Sequence, residues 1–136
     1  MILITGGNGQ LGTELRYLLD ELGETYVATD SQDLDITDRQ AVMAYVTELK
    51  PDYIYHCAAY TAVDKAEDEG KEINYQVNVE GTQNVADAAK VVDATLVYIS
   101  TDYVFDGLKV DGEYAVDDET NPQNEYGKAK LLGEKA

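Results

Sequence analysis

An apolar run at the start of the chain breaks into glycines and is followed by a helical pattern. Residues 2–5 have strand character, glycines stand at positions 6, 7, 9 and 12, and leucines recur at helical spacing from Leu11 to Leu19. Glycines at such a strand-to-helix turn let the backbone approach a pyrophosphate, and the helix start offers free N–H groups to the anion. The pattern therefore predicts a dinucleotide-binding loop, with a tight turn that binds no ligand as the alternative.

Three more apolar runs, at residues 25–29, 53–57 and 95–99, predict strands, and helical patterns separate them. The second and third of these runs are almost continuously apolar, which is typical of strands that are covered on both faces. Strands that alternate with helices predict an α/β fold, specifically a Rossmann-type doubly wound parallel sheet.

The helical patterns have recognisable ends. The first helix is expected to stop at Gly23, and the second to start from a capping box formed by Thr37 and Gln40. A third helix is expected over about residues 69–92, with Ile73 facing inward and Asn78 kinking the helix or clamping a neighbour. The acidic, turn-rich stretch 109–124 predicts a solvated loop, and a last helical pattern begins at residue 126.

Composition narrows the possible partners. The chain has 136 residues, enough for one domain, and a formal net charge of −17. That charge argues against nucleic acid and anionic membranes, because a polyanion would be repelled. No apolar run approaches the roughly 18 residues of a membrane span. The single cysteine, Cys57, excludes an internal disulfide, so a cytoplasmic location is expected. Both Cys57 and His56 are expected to be core residues without chemistry.

Polar and small residues follow the predicted strands, where a doubly wound sheet binds its ligands. Asp30 closes the second strand about 20 residues after the glycine loop, the place of the carboxylate that hydrogen-bonds the adenosine ribose. The alternative is an exposed aspartate at a strand end. A carboxylate there repels a 2′-phosphate, so NADH should be accepted at least as well as NADPH. Asp35 and Ile36 are candidates to line the adenine, and the small Ala58 and Ala59 leave room for a ribose.

Tyr126 and Lys130 are four residues apart, so both project from one face of the last helix. A neighbouring ammonium favours the phenolate, and the sequence therefore predicts a lowered pKa for Tyr126. Such a tyrosine can give a proton to a carbonyl oxygen while hydride reaches its carbon. A tyrosine–lysine pair alone is common, but here it follows a glycine loop and a hydroxyl pair after the fourth strand.

Together, residues 5–12, the pair of Tyr126 and Lys130 and the hydroxyl after the fourth strand resemble the extended short-chain dehydrogenase/reductase superfamily. More narrowly, residues 57–67 and 100–105, with the glycine loop and the tyrosine–lysine segment, resemble the dTDP-4-dehydrorhamnose reductase family over the whole chain. That family reduces the 4-keto group of dTDP-4-dehydro-L-rhamnose to give dTDP-L-rhamnose, a donor for bacterial surface polysaccharides.

The resemblance implies a role for each matching residue. Tyr126 would donate the proton, Lys130 would lower its pKa and bind the cofactor ribose, and Thr101 would hydrogen-bond the substrate carbonyl. The implied cofactor contacts are Gly6, Gly9, Gln10, Leu11 and Gly12 at the pyrophosphate, Asp30, Asp35 and Ile36 at the adenosine, and Ala58, Ala59, Tyr60 and Thr61 along the middle. Asp102 and Tyr103 would lie near the sugar. The cofactor would be NADPH or NADH, and some members carry magnesium, for which Glu14 is the candidate ligand.

Members of that family are about twice as long. We therefore expect residues 1–136 to be the NAD(P)-binding portion of a longer protein, without its substrate-binding portion, and a homodimer to form through that missing portion. Two alternatives stay open. One is another nucleotide-sugar epimerase or dehydratase of the superfamily. The other is a non-catalytic regulatory subunit similar to that of methionine adenosyltransferase.

Overall fold

The computed structural model describes all residues, 1–136. The strands are β1 (Ile2–Thr5), β2 (Tyr26–Ala28), β3 (Tyr53–His56) and β4 (Thr95–Tyr98). The helices are α1 (Gln10–Leu22), α2 (Arg39–Leu49), α3 (Val63–Ala66), α4 (Lys71–Tyr75), α5 (Thr82–Val91) and α6 (Glu125–Lys135). A π-helical segment, Gln76–Gly81, joins α4 to α5, and a short 3₁₀ helix, Asp102–Val104, follows β4. None of the helices has the length and apolar character needed to cross a membrane.

The four strands form one parallel sheet in the order β2-β1-β3-β4. The chain moves from β1 to β2 in one direction and from β2 across to β3 in the other. Because such crossovers are right-handed, α1 lies on one face of the sheet, and α2 and α5 lie on the other. The strand order reverses beside β1, so a crevice opens between the carboxyl ends of β1 and β3. The predicted doubly wound α/β sheet is confirmed.

The main core lies between the sheet and the α2–α5 face. Leu3 of β1 and Ile54 of β3 are fully buried and pack against Val42 and Val46 of α2 and Val85 of α5. Burial of each such side chain contributes about 1.5–3 kcal/mol. This core fixes the strand ends, and therefore the residues that follow them, in one rigid arrangement.

One predicted helix start was wrong. Helix α2 begins after Asp38, whose carboxylate accepts a hydrogen bond from the Ala41 N–H at 3.1 Å, whereas the Thr37 hydroxyl donates to Asp35. Aspartate caps a helix at least as well as threonine, and it stands one residue later. The long helix predicted over residues 69–92 is present as one continuous helical run, made up of α4, the π-helical segment and α5.

Asn78 is buried within the π-helical segment and clamps the chain after β3. Its side-chain Oδ1 accepts from the Tyr60 N–H at 3.0 Å, and its Nδ2 donates to the Tyr60 carbonyl at 2.8 Å and to Asn74 Oδ1 at 2.7 Å. Of the two predicted roles of this residue, the clamp is confirmed. Ile73, by contrast, is 48% exposed, so its predicted inward position was wrong.

Replacement of Asn78 by alanine should destabilise the fold strongly, because it removes three hydrogen bonds and leaves both polar groups of the Tyr60 backbone without this partner. We expect a loss of about 2–4 kcal/mol in the free energy of unfolding, measured by denaturant titration. Asn84→Ala is the matched control. Asn84 Nδ2 makes one bond, to the Ile36 carbonyl at 2.9 Å, and should lose only about 1–2 kcal/mol. Equal losses in the two variants would contradict the clamp.

Candidate functional site

Two adjoining cavities lie along the carboxyl edge of the sheet and share Gly9, Cys57 and Ala59. We call them the first and the second cavity, and their volumes are about 280 Å³ and 560 Å³. The first is lined by Thr5, Gly6, Gly9, Thr29, Asp30, Ser31, Leu34, Ile36, Cys57, Ala58, Ala59, Tyr60, Ile73 and Val77. The second is lined by Gly9, Gln10, Leu11, Glu14, His56, Cys57, Ala59, Thr61, Ile99, Ser100, Tyr126 and Lys130.

The glycine loop lies where the two cavities meet, and its residue Gly9 lines both of them. Gly6 has a φ of +66°, and a Cβ at this position would lie 2.6 Å from the Ala58 backbone nitrogen. Gly12 packs so closely on the Gly6 carbonyl that any side chain there would collide with it. Helix α1 starts after Gly9 without a side-chain cap, so its first N–H groups remain free for an anion. Arg16 Nη1 supports the loop by donating to the Gly7 carbonyl at 3.1 Å.

The first cavity has one charged lining residue, Asp30. Apolar side chains, including Ile36 and Leu34, cover much of its wall, which suits a flat aromatic base. Asp35, predicted together with Ile36 to line the adenine, lies outside this cavity. Its exposed carboxylate accepts bonds from the Thr37 N–H at 3.0 Å and the Thr37 hydroxyl at 2.7 Å, and it does not line the cavity.

Tyr126 and Lys130 are both buried in α6 and line the second cavity together. Helix α6 is held at its start by Asn124, whose side chain accepts from the Gly127 N–H at 2.7 Å. The Glu125 N–H in turn donates to Glu67 Oε1 at 2.7 Å. These bonds fix the first turn of α6, so the tyrosine hydroxyl has a defined position at the cavity.

The predicted lowering of the Tyr126 pKa was wrong. Burial raises the pKa of Tyr126, the hydrogen bond with Thr101 lowers it, and the nearby Tyr103 and Asp102 raise it. The pKa of Lys130 is lowered to about 8, because burial disfavours its ammonium more than the charge of Glu134 supports it. Tyr126 is therefore a neutral phenol near pH 7, the protonation state that a proton donor needs.

Three further candidates, Thr101, Asp102 and Tyr103, lie beside the second cavity without lining it. Thr101 caps the 3₁₀ helix, accepting from the Tyr103 N–H at 3.3 Å, and it lies close enough to Tyr126 to lower the pKa of that phenol. The ring of Tyr103 meets that of Tyr126 edge-on at 6.0 Å. Asp102 and Tyr103 line a separate cavity of about 280 Å³ with the loop that follows. These three residues therefore lie near the second cavity without forming its wall.

Glu14 lines the second cavity, but no group of three or more histidine, cysteine, aspartate or glutamate side chains is arranged to hold a metal ion. One carboxylate supplies too few of the oxygen ligands that magnesium takes. Glu14 by itself therefore does not form a metal site within this chain.

Several lining residues were not predicted from the sequence, notably Thr5, Ser31, Ile99 and Ser100. All of them end or follow a strand, so a search of the positions around each predicted strand end would have found them. His56, expected to be a core residue, is buried and bridges Thr5 and Thr82 through its two ring nitrogens, at 2.8 Å and 3.2 Å. Burial and the nearby Lys130 charge lower its pKa to about 4, so its ring is neutral.

Known proteins similar to this chain share its sequence and its fold. A dTDP-4-dehydrorhamnose reductase from Mycolicibacterium smegmatis is 48% identical over 135 residues, which cover 99% of this chain and 40% of that protein. The crystal structure of a dTDP-4-dehydrorhamnose reductase from Clostridium acetobutylicum has a TM-score of 0.94 and 49% identity, and it covers 98% of this chain and 47% of its own. A dTDP-4-dehydrorhamnose reductase from Bacillus anthracis, in complex with NADP, has a TM-score of 0.93, 44% identity and the same coverage.

A more distant structure, the UDP-glucose 4-epimerase of Thermus thermophilus in complex with NAD, has a TM-score of 0.88 at 24% identity and shares the fold. The chain spans 40–46% of the length of the curated relatives it matches. The family model of the RmlD substrate binding domain matches residues 1–136. Because that match covers the whole of this chain, the chain belongs to the family of the RmlD substrate binding domain.

Proposed function

We propose that this protein reduces the 4-keto group of dTDP-4-dehydro-L-rhamnose to dTDP-L-rhamnose with NADPH or NADH. The observation that carries the proposal is the continuous pair of cavities from Asp30 to Tyr126, joined at the glycine loop. Relatives that are 41–48% identical over this chain are named as reductases of that substrate. The product would be a donor for surface polysaccharides, as the sequence resemblance implies, and the reaction would take place in the cytoplasm.

The residues of the two cavities fit a nicotinamide dinucleotide. The loop at Gly9 and the free N–H groups at the start of α1 would hold the pyrophosphate. Asp30 would accept from the adenosine ribose, and Ile36 and Leu34 would cover the adenine. When bound, the dinucleotide supplies hydride to the carbonyl carbon. Residues 1–136 would form the cofactor-binding portion, and a further portion would complete the sugar pocket.

Tyr126 and Lys130 of the second cavity, with the neighbouring Thr101, would carry out the proton transfer to the substrate. Tyr126 is neutral at pH 7 and gives its phenolic proton to the substrate oxygen, on which negative charge develops as hydride arrives. Thr101, which lies next to Tyr126, would hydrogen-bond the substrate oxygen beside the tyrosine hydroxyl. Lys130 would bind the cofactor ribose and, by its positive charge, favour the phenolate left on Tyr126 after transfer.

Replacement of Tyr126 by phenylalanine should remove the proton donor and leave the packing intact. We expect turnover of dTDP-4-dehydrorhamnose, followed as loss of reduced nicotinamide absorbance, to fall about 10²- to 10⁴-fold in the intact protein. The affinity for NADPH should stay within about twofold, since the variant keeps the ring. Tyr17→Phe, at an exposed position of α1, should turn over normally. No turnover by the unmodified protein would contradict the proposed function, and interconversion of a UDP-sugar without net cofactor oxidation would favour an epimerase instead.

The lowered pKa of Lys130 predicts that cofactor affinity depends on pH. The ammonium is charged below about pH 8 and neutral above it, so the dissociation constant of NADPH should rise between pH 7 and pH 9. In Lys130→Arg the side chain stays charged over this range, and the dissociation constant should be almost independent of pH. Fluorescence titration measures both. An identical rise in the two proteins would show that another group titrates.

Neutralisation of Asp30 should shift the cofactor preference. In Asp30→Asn the carboxylate no longer repels a 2′-phosphate, and the ratio of NADPH to NADH affinity should rise about tenfold. Glu48→Gln removes the same charge from an exposed site on α2 and controls for the overall negative field. If both variants change the ratio equally, the preference is set by net charge and not by Asp30.

A further inference from the structure

Tyr98, the last residue of β4, contacts Lys130 at both ends of that residue. Its hydroxyl donates a hydrogen bond to the Lys130 backbone carbonyl at 3.0 Å. The Lys130 Nζ atom lies over the Tyr98 ring, 4.6 Å from the ring centre. One side chain of the sheet therefore holds both the backbone and the charged end of a residue on α6.

Little else restrains the ammonium of Lys130. It takes part in none of the ion pairs of the structure. The nearby carboxylate of Glu134 accepts a hydrogen bond from the Ser100 hydroxyl, which ties it to the end of β4. A lysine side chain has four flexible carbons, so a buried ammonium without an ion pair needs another contact to keep one direction. The electron-rich face of an aromatic ring supplies such a contact.

The position of Tyr98 is itself fixed. Its ring stacks on His56, with ring centres 6.2 Å apart and an angle of 22° between the planes. His56 is fixed by its hydrogen bonds to Thr5 and Thr82. Burial raises the pKa of Tyr98, so its hydroxyl remains a neutral hydrogen-bond donor. A rigid chain of contacts therefore runs from β1 through β3 and β4 to Lys130.

We propose that Tyr98 is a positioning residue, whose ring face holds the Lys130 ammonium in the second cavity in the direction of the cofactor ribose. The inference rests on the proposed function for the role of Lys130. The geometry of the contact does not depend on it, because both halves of the contact lie within this chain. In this arrangement the ring pre-orders the ammonium before the dinucleotide binds, so less side-chain freedom is lost on binding.

The contact can be tested directly by NMR on the intact, cofactor-free protein labelled with ¹³C at the lysine ε-carbons. Ring currents should shift the Lys130 ε-protons upfield, and Lys130→Arg assigns the signal by its disappearance. The shift should persist in Tyr98→Phe, which keeps the ring, and disappear in Tyr98→Leu. Lys109, whose Nζ lies 5.6 Å from the centre of the Tyr114 ring, is an internal control whose signal should not change. An unshifted Lys130 signal in the unmodified protein would overturn the proposal.

Kinetics test the consequence for catalysis. Tyr98→Leu should lower kcat about 10- to 100-fold and weaken NADPH binding, whereas Tyr98→Phe should restore most of both. Tyr55→Leu is the matched control, because Tyr55 is half-buried on the opposite face of β3. The proposal is wrong if Tyr98→Leu keeps normal kcat or if Tyr55→Leu loses as much. If Lys130→Met turned over normally while the unmodified protein showed the shifted Lys130 signal, the proposed function of Lys130 would fail and the contact would stand.

Discussion

The backbone of Gly6 lies directly against the backbone of Ala58, and the whole site depends on this contact between the ends of β1 and β3. Only glycine can make this contact, because a side chain would collide with Ala58 and because residue 6 has a left-handed backbone conformation. The contact lets the chain turn sharply from β1 into α1, so that the start of the helix faces the crevice. A larger residue would separate the two strand ends and displace the loop that joins the cavities.

From that turn, a line of polar side chains crosses the sheet. Thr5 ends β1, His56 ends β3 and Tyr98 ends β4, and each contacts the next through a hydrogen bond or stacked rings. His56 can bridge two threonines because it is neutral, with one ring nitrogen donating and the other accepting. Buried polar groups are costly unless they are satisfied, and every buried side-chain nitrogen and oxygen here has a partner. The line therefore stiffens the edge at which the chemistry is proposed.

The alternation of strands and helices, the edge that carries the site and most of its lining residues could be predicted from the sequence, because they follow from periodicity and from where parallel strands end. The direction in which the pKa of Tyr126 shifts could not be predicted from the sequence. Spacing shows that Tyr126 and Lys130 share a helix face, but the pKa of Tyr126 is raised by burial and by Tyr103 and Asp102, which come from another part of the chain. The π-helical segment within the helix over residues 69–92 could not be predicted either, since such a segment has no clear sequence signal.

That π-helical segment has a consequence for how the chain tolerates changes in length. A π-helical turn holds one residue more than an α-helical turn, so deletion of a single residue between 76 and 81 would restore a regular α-helix. The surplus residue is taken up within one wide turn, so the helical segments on either side of the deletion would keep their present rotational phase. Only the residues of the wide turn would move, and Asn78, which lies in that turn, would change its position relative to Tyr60. One surplus residue therefore places the clamp without disturbing the phase between the two halves of a long helix.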